Sequence, residues 1–419
     1  MASTSSASRQ TYRPVSCLVC QHPTIEQFLD LGQTALANKF LVDNELAVPE
    51  PAYPLRVGFC HTCSHVQLTS TVSPAAMFED YLYISSASDA LKAHLYEVSD
   101  LCVERYRLRA GDLVIDIGCN DGTLLSGFRR HGVKTLGVDP AANLAIFARE
   151  TGIERYVGFF NATTATRIRA QWGPASVITA TNTFPHIPEL RDFVRGIDTV
   201  LAPGGVFVIE AHYLVDLLEQ CAFDTIYHEH VSYWAIGPMC QLFAQQGMEI
   251  VHAERVPLHH GQVRVAVQRQ GEGVVQPSVA EMLELERRLG LNDFSTYRHF
   301  AQHAGRLKRE LRRTLLDLQR EGQQIAAYGA PAKGNTLLSF LELTPGIVNY
   351  IADRSPLKQG KYTPGTHIPV VSPQRLLTDQ PDYVVLLAWN FLDEVLAQQA
   401  EYRRRGGKFI IPVPQVQIL

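Results

Sequence analysis

An α/β chain with a small cysteine-bearing module ahead of two Rossmann-like sheets is predicted by three observations. Two Cys-x-x-Cys pairs fall close to the N-terminus, Cys17 with Cys20 and Cys60 with Cys63. Short, β-branched apolar runs then alternate with helical stretches over residues 86–276, and the same alternation resumes over residues 323–419. Strands that are apolar throughout are those covered on both faces, and helices between them imply βαβ crossovers and a parallel sheet.

Residues 1–11 are polar and Ser-rich and contain no apolar stretch, which predicts a disordered tail and not a secretion signal. Residues 12–85 are turn-rich and hold both cysteine pairs. Each Cys-x-x-Cys places two thiolates on one tight knuckle, and two knuckles complete a tetrahedron around Zn²⁺. Four thiolates leave no open coordination position, so the site is expected to be structural. His22, His61 and His65 sit beside the knuckles and are expected at the surface or behind the ligands. Cys102, Cys119, Cys221 and Cys240 have no partner spacing and read as isolated thiols.

Residues 86–276 contain four predicted strands, at 112–117, 135–139, 176–181 and 205–210. The first runs into Gly118-Cys-Asn-Asp-Gly122 and then a helix. A pyrophosphate reader would carry G-x-G-x-x-G, whereas only Gly118 and Gly122 are present. A sulfonium cofactor has no phosphate, so a shorter loop with nearby carboxylates suits it better. Asp139 ends the next strand, where a carboxylate can accept from ribose hydroxyls, and Asp116 and Asp121 lie near the place for a cationic methionyl group. The candidate cofactor-binding residues are Asp116, Gly118, Asn120, Asp121, Gly122, Asp139, Pro140 and Asn182. A Rossmann-like core for another nucleotide is the competing reading.

Residues 277–322 place Leu307, Leu311, Leu315 and Leu318 at helical spacing and are predicted as a helical connector. Residues 323–419 have predicted strands at 324–328, 347–351, 382–388 and 408–411. Between the first of these and a helix lies Gly329-Ala-Pro-Ala-Lys333-Gly334-Asn335-Thr336. Its glycine spacing is that of a P-loop, but Asn335 stands where the lysine belongs, so an ATPase is disfavoured. Backbone amides with Lys333 at a helix start still suit a diphosphate, and Lys333, Gly334, Asn335 and Thr336 are the candidate substrate-binding residues. A plain strand–helix turn is the alternative.

Composition bounds the partners. The chain has 419 residues, net charge −4 and no basic stripe, which disfavours nucleic acid. No apolar run reaches the roughly 20 residues that span a bilayer. A cytoplasmic, reducing location is expected, where paired cysteines more often hold metal than form disulfides. A monomer or weak homo-oligomer acting on a small molecule is the expected state.

Tyr227-His-Glu-His-Val-Ser-Tyr233 packs imidazoles, phenols and a carboxylate into seven residues. The zincin spacing H-E-x-x-H is absent, and acid–base chemistry fits better, since imidazole titrates near neutrality and a carboxylate can orient it. A structural polar cluster is the plainer reading. With these residues the chain resembles the sugar C-methyltransferases of antibiotic deoxysugar pathways, which act on dTDP-4-keto-6-deoxy sugars. The resemblance runs from Cys17 to about Pro414. It rests on both cysteine pairs, Tyr81-Leu-Tyr83-Ile-Ser-Ser86, Asp116–Thr123, Asn182-Thr-Phe-Pro-His186, Tyr227–His230, Tyr328–Thr336 and Asp353–Pro369.

The resemblance implies a zinc-binding domain, a central S-adenosylmethionine-dependent methyltransferase domain and a C-terminal α/β domain that helps hold the nucleotide sugar. It implies methyl transfer to the carbon beside the keto group, C-3, through an enolate. By motif, His230 is expected to be the base, with Tyr227, Glu229, His186 and one of Tyr81 and Tyr83 as companions, the count forward from Cys63 favouring Tyr83. Methylation of another activated ketone, or of an oxygen, by the same scaffold is the alternative. Trp234-Ala235 and Phe184-Pro185 depart from the family pattern, which leaves the reaction in place and the substrate's identity open.

Overall fold

The computed structural model describes residues 12–79, 81, 84–145, 152–258 and 261–419. The tail and Tyr83 lie outside the described residues.

Three of the four sheets among the described residues organise the chain. The central sheet has seven strands in the order Met248–Val256, Gln262–Arg269, Leu201–His212, Ala175–Thr181, Leu113–Ile117, Lys134–Asp139, Glu154–Val157. The last five are parallel, and Gln262–Arg269 pairs antiparallel with both of its neighbours. The four predicted strands form its middle. Leu113–Ile117 is buried at all five positions, as expected of a run that is apolar but for Asp116. The chain winds outward from it in both directions. The crevice at its C-terminal end is therefore where an open α/β sheet offers a ligand site. Glu154–Val157 escaped the sequence pattern because it is a half-exposed edge strand and not an apolar run.

The N-terminal sheet is antiparallel, with strands Glu26–Thr34, Tyr53–Phe59 and Val66–Leu68. Its fourth strand, Ser232–Tyr233, comes from beyond the central sheet and pairs Ser232 with Gln67 and Tyr233 with Val66. The boundary at residue 85 therefore does not separate two independent sheets.

The C-terminal sheet has five parallel strands and one antiparallel edge, in the order Val370–Val371, Ile351–Ala352, Ile325–Tyr328, Tyr383–Leu386, Lys408–Ile411, Gln417–Ile418. The strand expected at 347–351 is confined to Ile351–Ala352. Residues 344–348 instead form a turn closed by Thr344, whose carbonyl accepts from the amides of Ile347 and Val348.

Between the two larger sheets run the helices Pro277–Arg288 and Phe294–Arg320. The longer one buries Leu307, Leu311, Leu315 and Leu318 on one face. Near its start Tyr297 packs against Phe28 and Phe59 of the N-terminal sheet, with ring centroids 5.2 and 4.9 Å apart. Farther along, Lys308 reaches Glu342 of the C-terminal domain. One continuous apolar core runs through all three modules, so the helical segment braces them together. No helix among the described residues is long and apolar enough to cross a membrane.

Candidate active site

The two cysteine knuckles are built alike. Cys17 N–H donates to the His22 carbonyl and Cys60 N–H to that of His65, each at 2.9 Å. Gln21 and Ser64, directly after the second cysteine of each pair, have φ of 64° and 58°. This repeated left-handed turn folds each pair of thiols to one side. All four sulfurs lie within 4.8 Å of one another, with Cys17 Sγ to Cys63 Sγ at 3.4 Å and Cys20 Sγ to Cys60 Sγ at 3.5 Å. Tetrahedral zinc–thiolate bonds of about 2.3 Å put sulfurs roughly 3.8 Å apart, so the donor set fits zinc. None of the four lines the large cavity described next, as suits a structural site. His61 pairs with exposed Glu26, while His65 is buried, packs against the tilted Trp234 ring with centroids 4.8 Å apart and lies 3.2 Å from the Ser232 hydroxyl.

A cavity of about 750 Å³ opens where the three modules meet. One wall is the cofactor loop. Gly118 takes φ 76°, and a Cβ there would meet Thr183 Oγ1 at 2.0 Å, so only glycine fits. Asp139 accepts from the amides of Asn120 at 2.9 Å and Ala141 at 2.8 Å. Asp116 accepts from the Thr179 hydroxyl at 2.7 Å, and burial pushes its carboxyl up to about 7. Asp121 and Asn120 accept from the amides of Ser86 and Ser85, at 2.8 and 3.0 Å. The end of the zinc module is thereby stitched across the loop. Asp116, Gly118, Asn120, Asp121, Asp139, Pro140 and Asn182 all line the cavity; Gly122 instead sits at the left-handed start of the helix Thr123–Arg129. Acidic groups around a loop that lacks a phosphate-reading glycine pattern suit a cationic sulfonium nucleoside.

A second wall carries the histidines. Tyr227–His230 forms the turn between Phe223–Thr225 and the strand Ser232–Tyr233 that completes the zinc sheet. His230 Nδ1 donates to the Thr225 carbonyl at 2.8 Å, which leaves Nε2 as an acceptor for the Tyr227 hydroxyl at 2.9 Å. His186 stacks on His230 at 5.2 Å and on Phe78 at the same distance. His212, at the end of the strand Leu201–His212, lies 4.9 Å from His230. Burial drives His186 and His230 down to about 3, so both rings are neutral at ordinary pH.

Glu229 does not orient its neighbour, as the sequence suggested. Its carboxylate turns the other way, accepting from Asn38 Nδ2 at 2.7 Å and the Tyr81 hydroxyl at 3.1 Å. Asn38 and Tyr81 both line the cavity, whereas Glu229 stands behind them. Burial pushes its carboxyl up to about 7. Tyr81 is fixed through its own backbone, which exchanges hydrogen bonds with the Asn143 side chain.

The third wall comes from the C-terminal domain. Lys333 lines the cavity 4.0 Å above the Trp389 ring, and Trp389 Nε1 donates to buried Asp224 at 2.6 Å. Burial lowers the Lys333 ammonium to about 8, against the pull of Asp224. Gly334, Asn335 and Thr336 are buried inside the helix Ala332–Phe340 and do not line the cavity. Asn335 Nδ2 donates to the Ala37 carbonyl at 2.6 Å, so this part of the predicted diphosphate loop docks the zinc module. Lys358 joins the lining and donates to the Ala330 carbonyl.

The two departures from the family pattern turn out to be one packing event. Phe184 and Trp234 stack at 4.7 Å, both are fully buried, and neither lines the cavity. Both rings therefore belong to the core and not to the cavity lining. Asn38, His212 and Trp389 escaped sequence reading because each is an isolated residue without motif spacing.

Comparison with known proteins matches this arrangement in order along the chain. A model described as a zinc binding domain matches residues 17–78, a methyltransferase domain 93–253, and a C-methyltransferase C-terminal domain 257–414. C-methyltransferase NovU of Streptomyces niveus is 37% identical over 409 residues, which cover 97% of each chain. Ubiquinone biosynthesis O-methyltransferase of Sodalis glossinidius is 28% identical over 119 residues, 26% of this chain and 47% of that one. Among solved structures, PH0226 protein of Pyrococcus horikoshii aligns with 45% of this chain and 95% of its own at 16% identity and a TM-score of 0.35. The NovU match spans all three modules and every wall of the cavity, and the chain belongs to this C-methyltransferase family as an S-adenosylmethionine-dependent enzyme.

Proposed function

We propose that the enzyme methylates C-3, beside the keto group, of a dTDP-4-keto-deoxysugar through an enolate formed by His230. The observation that carries this reading is the fixed tautomer of His230. With Nδ1–H committed to the Thr225 carbonyl, the Nε2 lone pair is the basic site on the cavity wall. S-adenosylmethionine supplies an electrophilic methyl group, while the chain's own residues prepare the nucleophile.

A carbonyl acidifies the neighbouring C–H, and His230 Nε2 takes that proton as its hydrogen bond from Tyr227 gives way. Burial makes a neutral imidazole a weak base, but the enolate formed in the same step pairs with the new imidazolium and offsets that cost. Tyr227, Tyr81 and His186 supply donors for the developing oxyanion; loss of one such donor typically costs on the order of 10²–10³ in rate. Glu229 acts through Tyr81 and Asn38, holding both in place. Lys333, beside Trp389, is assigned to the diphosphate.

The test isolates proton abstraction. With S-adenosylhomocysteine in place of the methyl donor, the wild-type enzyme in deuterated water is expected to exchange the proton beside the keto group. His230→Asn, which cannot accept the proton, is expected to lose that exchange by at least about 10²-fold. Full exchange in His230→Asn would refute His230 as the base.

A further inference from the structure

The three carboxylates around the cofactor loop crowd one another. Asp116, Asp121 and Asp139 are all buried, with the Cys119 thiol among them, and Asp116 is raised by both of the others. The cation that meets Asp139 is Arg155, on the edge strand Glu154–Val157. Its side chain is 4% exposed, and it does not line the cavity.

Arg155 reaches three separate pieces of chain. Nη1 donates to the Asn120 carbonyl at 3.1 Å. Nη2 donates to the Ala141 carbonyl at 2.6 Å and pairs with Asp139 Oδ1 at 2.9 Å. Asn120 is a non-glycine residue at φ 52°, a conformation that must be held by its surroundings. The Asn120 amide in turn donates to Asp139 Oδ2, and the Ala141 amide to Asp139 Oδ1. One planar fork thus closes a ring of contacts around the loop and the end of the strand Lys134–Asp139. A guanidinium suits this task, because it stays charged and offers five donors in fixed directions; a lysine ammonium is a single point charge.

We propose that Arg155 is a positioning residue for cofactor binding, locking Asn120, Ala141 and Asp139 into the shape that receives the ribose. The inference rests on the assignment of Asp139 to the ribose. Removing Arg155 frees the loop and takes away the charge that opposes the effect of burial on Asp139. The carboxyl then holds its proton to higher pH, and a protonated Asp139 is a poorer acceptor for the ribose hydroxyls. Asp116 and the Cys119 thiol, the groups that feel the Asp139 charge, carry no positive charge, so neither substitutes for the lost cation.

Calorimetric titration of the full-length, zinc-loaded enzyme with S-adenosylhomocysteine between about pH 6 and 9 tests this. Arg155→Met is expected to bind on the order of 10- to 100-fold more weakly, the usual cost of removing a group that orients a ligating residue. Its affinity should also begin to fall, as pH is lowered, at a higher pH than in the wild type. Arg155→Lys should restore the wild-type pH profile while remaining at least about threefold weaker, since charge returns without the fork. Wild-type affinity in Arg155→Lys overturns the proposal, and this arm decides it even if Arg155→Met does not fold. Asp139→Ala separates the two ideas: unchanged affinity there removes the ribose assignment. Loss there with wild-type affinity in both Arg155 variants removes the role of Arg155 alone.

Discussion

Glu229→Gln should make the protein more stable at alkaline pH while making the enzyme slower. The Glu229 carboxyl is fully buried and its pKa is raised from 4.5 to about 7. A folded-state pKa above the unfolded value means the ionised form is penalised by folding. The penalty is absent below about pH 4.5, grows as pH rises through that value and is complete above about pH 7. A difference of about 2.5 units corresponds to about 3 kcal/mol. By the same relation the penalty is under about 1 kcal/mol at pH 5. Glutamine removes the charge and keeps one acceptor oxygen for Asn38 Nδ2 or the Tyr81 hydroxyl, so about one hydrogen bond worth roughly 1 kcal/mol is lost. The net expectation is about 2 kcal/mol of stabilisation at pH 8, fading to nothing or reversing near pH 5. Thermal unfolding of zinc-loaded protein across this range would show a melting temperature raised by a few °C at pH 8 only. Tyr81 loses its anionic partner in the same variant, so methyl transfer should slow at the pH where stability rises. A variant no more stable than wild type at pH 8, or equally stabilised at pH 5 and 8, would refute the reasoning.

Replacing Cys17 and Cys60 with alanine should abolish zinc binding, measured as about one metal per chain by elemental analysis of the wild type. Folded yield should fall with it, because metal affinity on the order of 10 kcal/mol is folding energy for such a module; full zinc content in the variant would refute the ligand set. Asp139→Ala should weaken S-adenosylhomocysteine binding by roughly 10²-fold, the cost of losing hydrogen bonds to a charged acceptor. Nucleotide-sugar affinity, measured in a separate titration, should stay nearly intact, and equal loss of both would mean that the two ligands share this wall.

The amino-acid sequence determined the features set by neighbours along the chain. A Cys-x-x-Cys spacing forces two sulfurs onto one turn, and a short β-branched run such as Leu113–Ile117, apolar but for Asp116, reads as a strand covered on both faces. The left-handed turn after it favours glycine at Gly118, whereas the contact with Thr183 that leaves no room for a Cβ comes from the fold. Tertiary structure alone decided which way adjacent side chains face. His230 and Glu229 are consecutive, yet one points to the cavity wall and the other to Asn38, 191 residues away. Asn335, two residues beyond Lys333, turns from the cavity to the Ala37 carbonyl. Phe184 and Trp234 depart from the family pattern at separate places in the chain, and only the fold brings their rings together in the core. Arg155 lies on an edge strand with no apolar pattern, and its role follows from contacts with Asn120, Asp139 and Ala141. Local spacing fixes the geometry of a turn or strand. Desolvation and hydrogen-bond pairing among residues distant in sequence fix which of its side chains become a site.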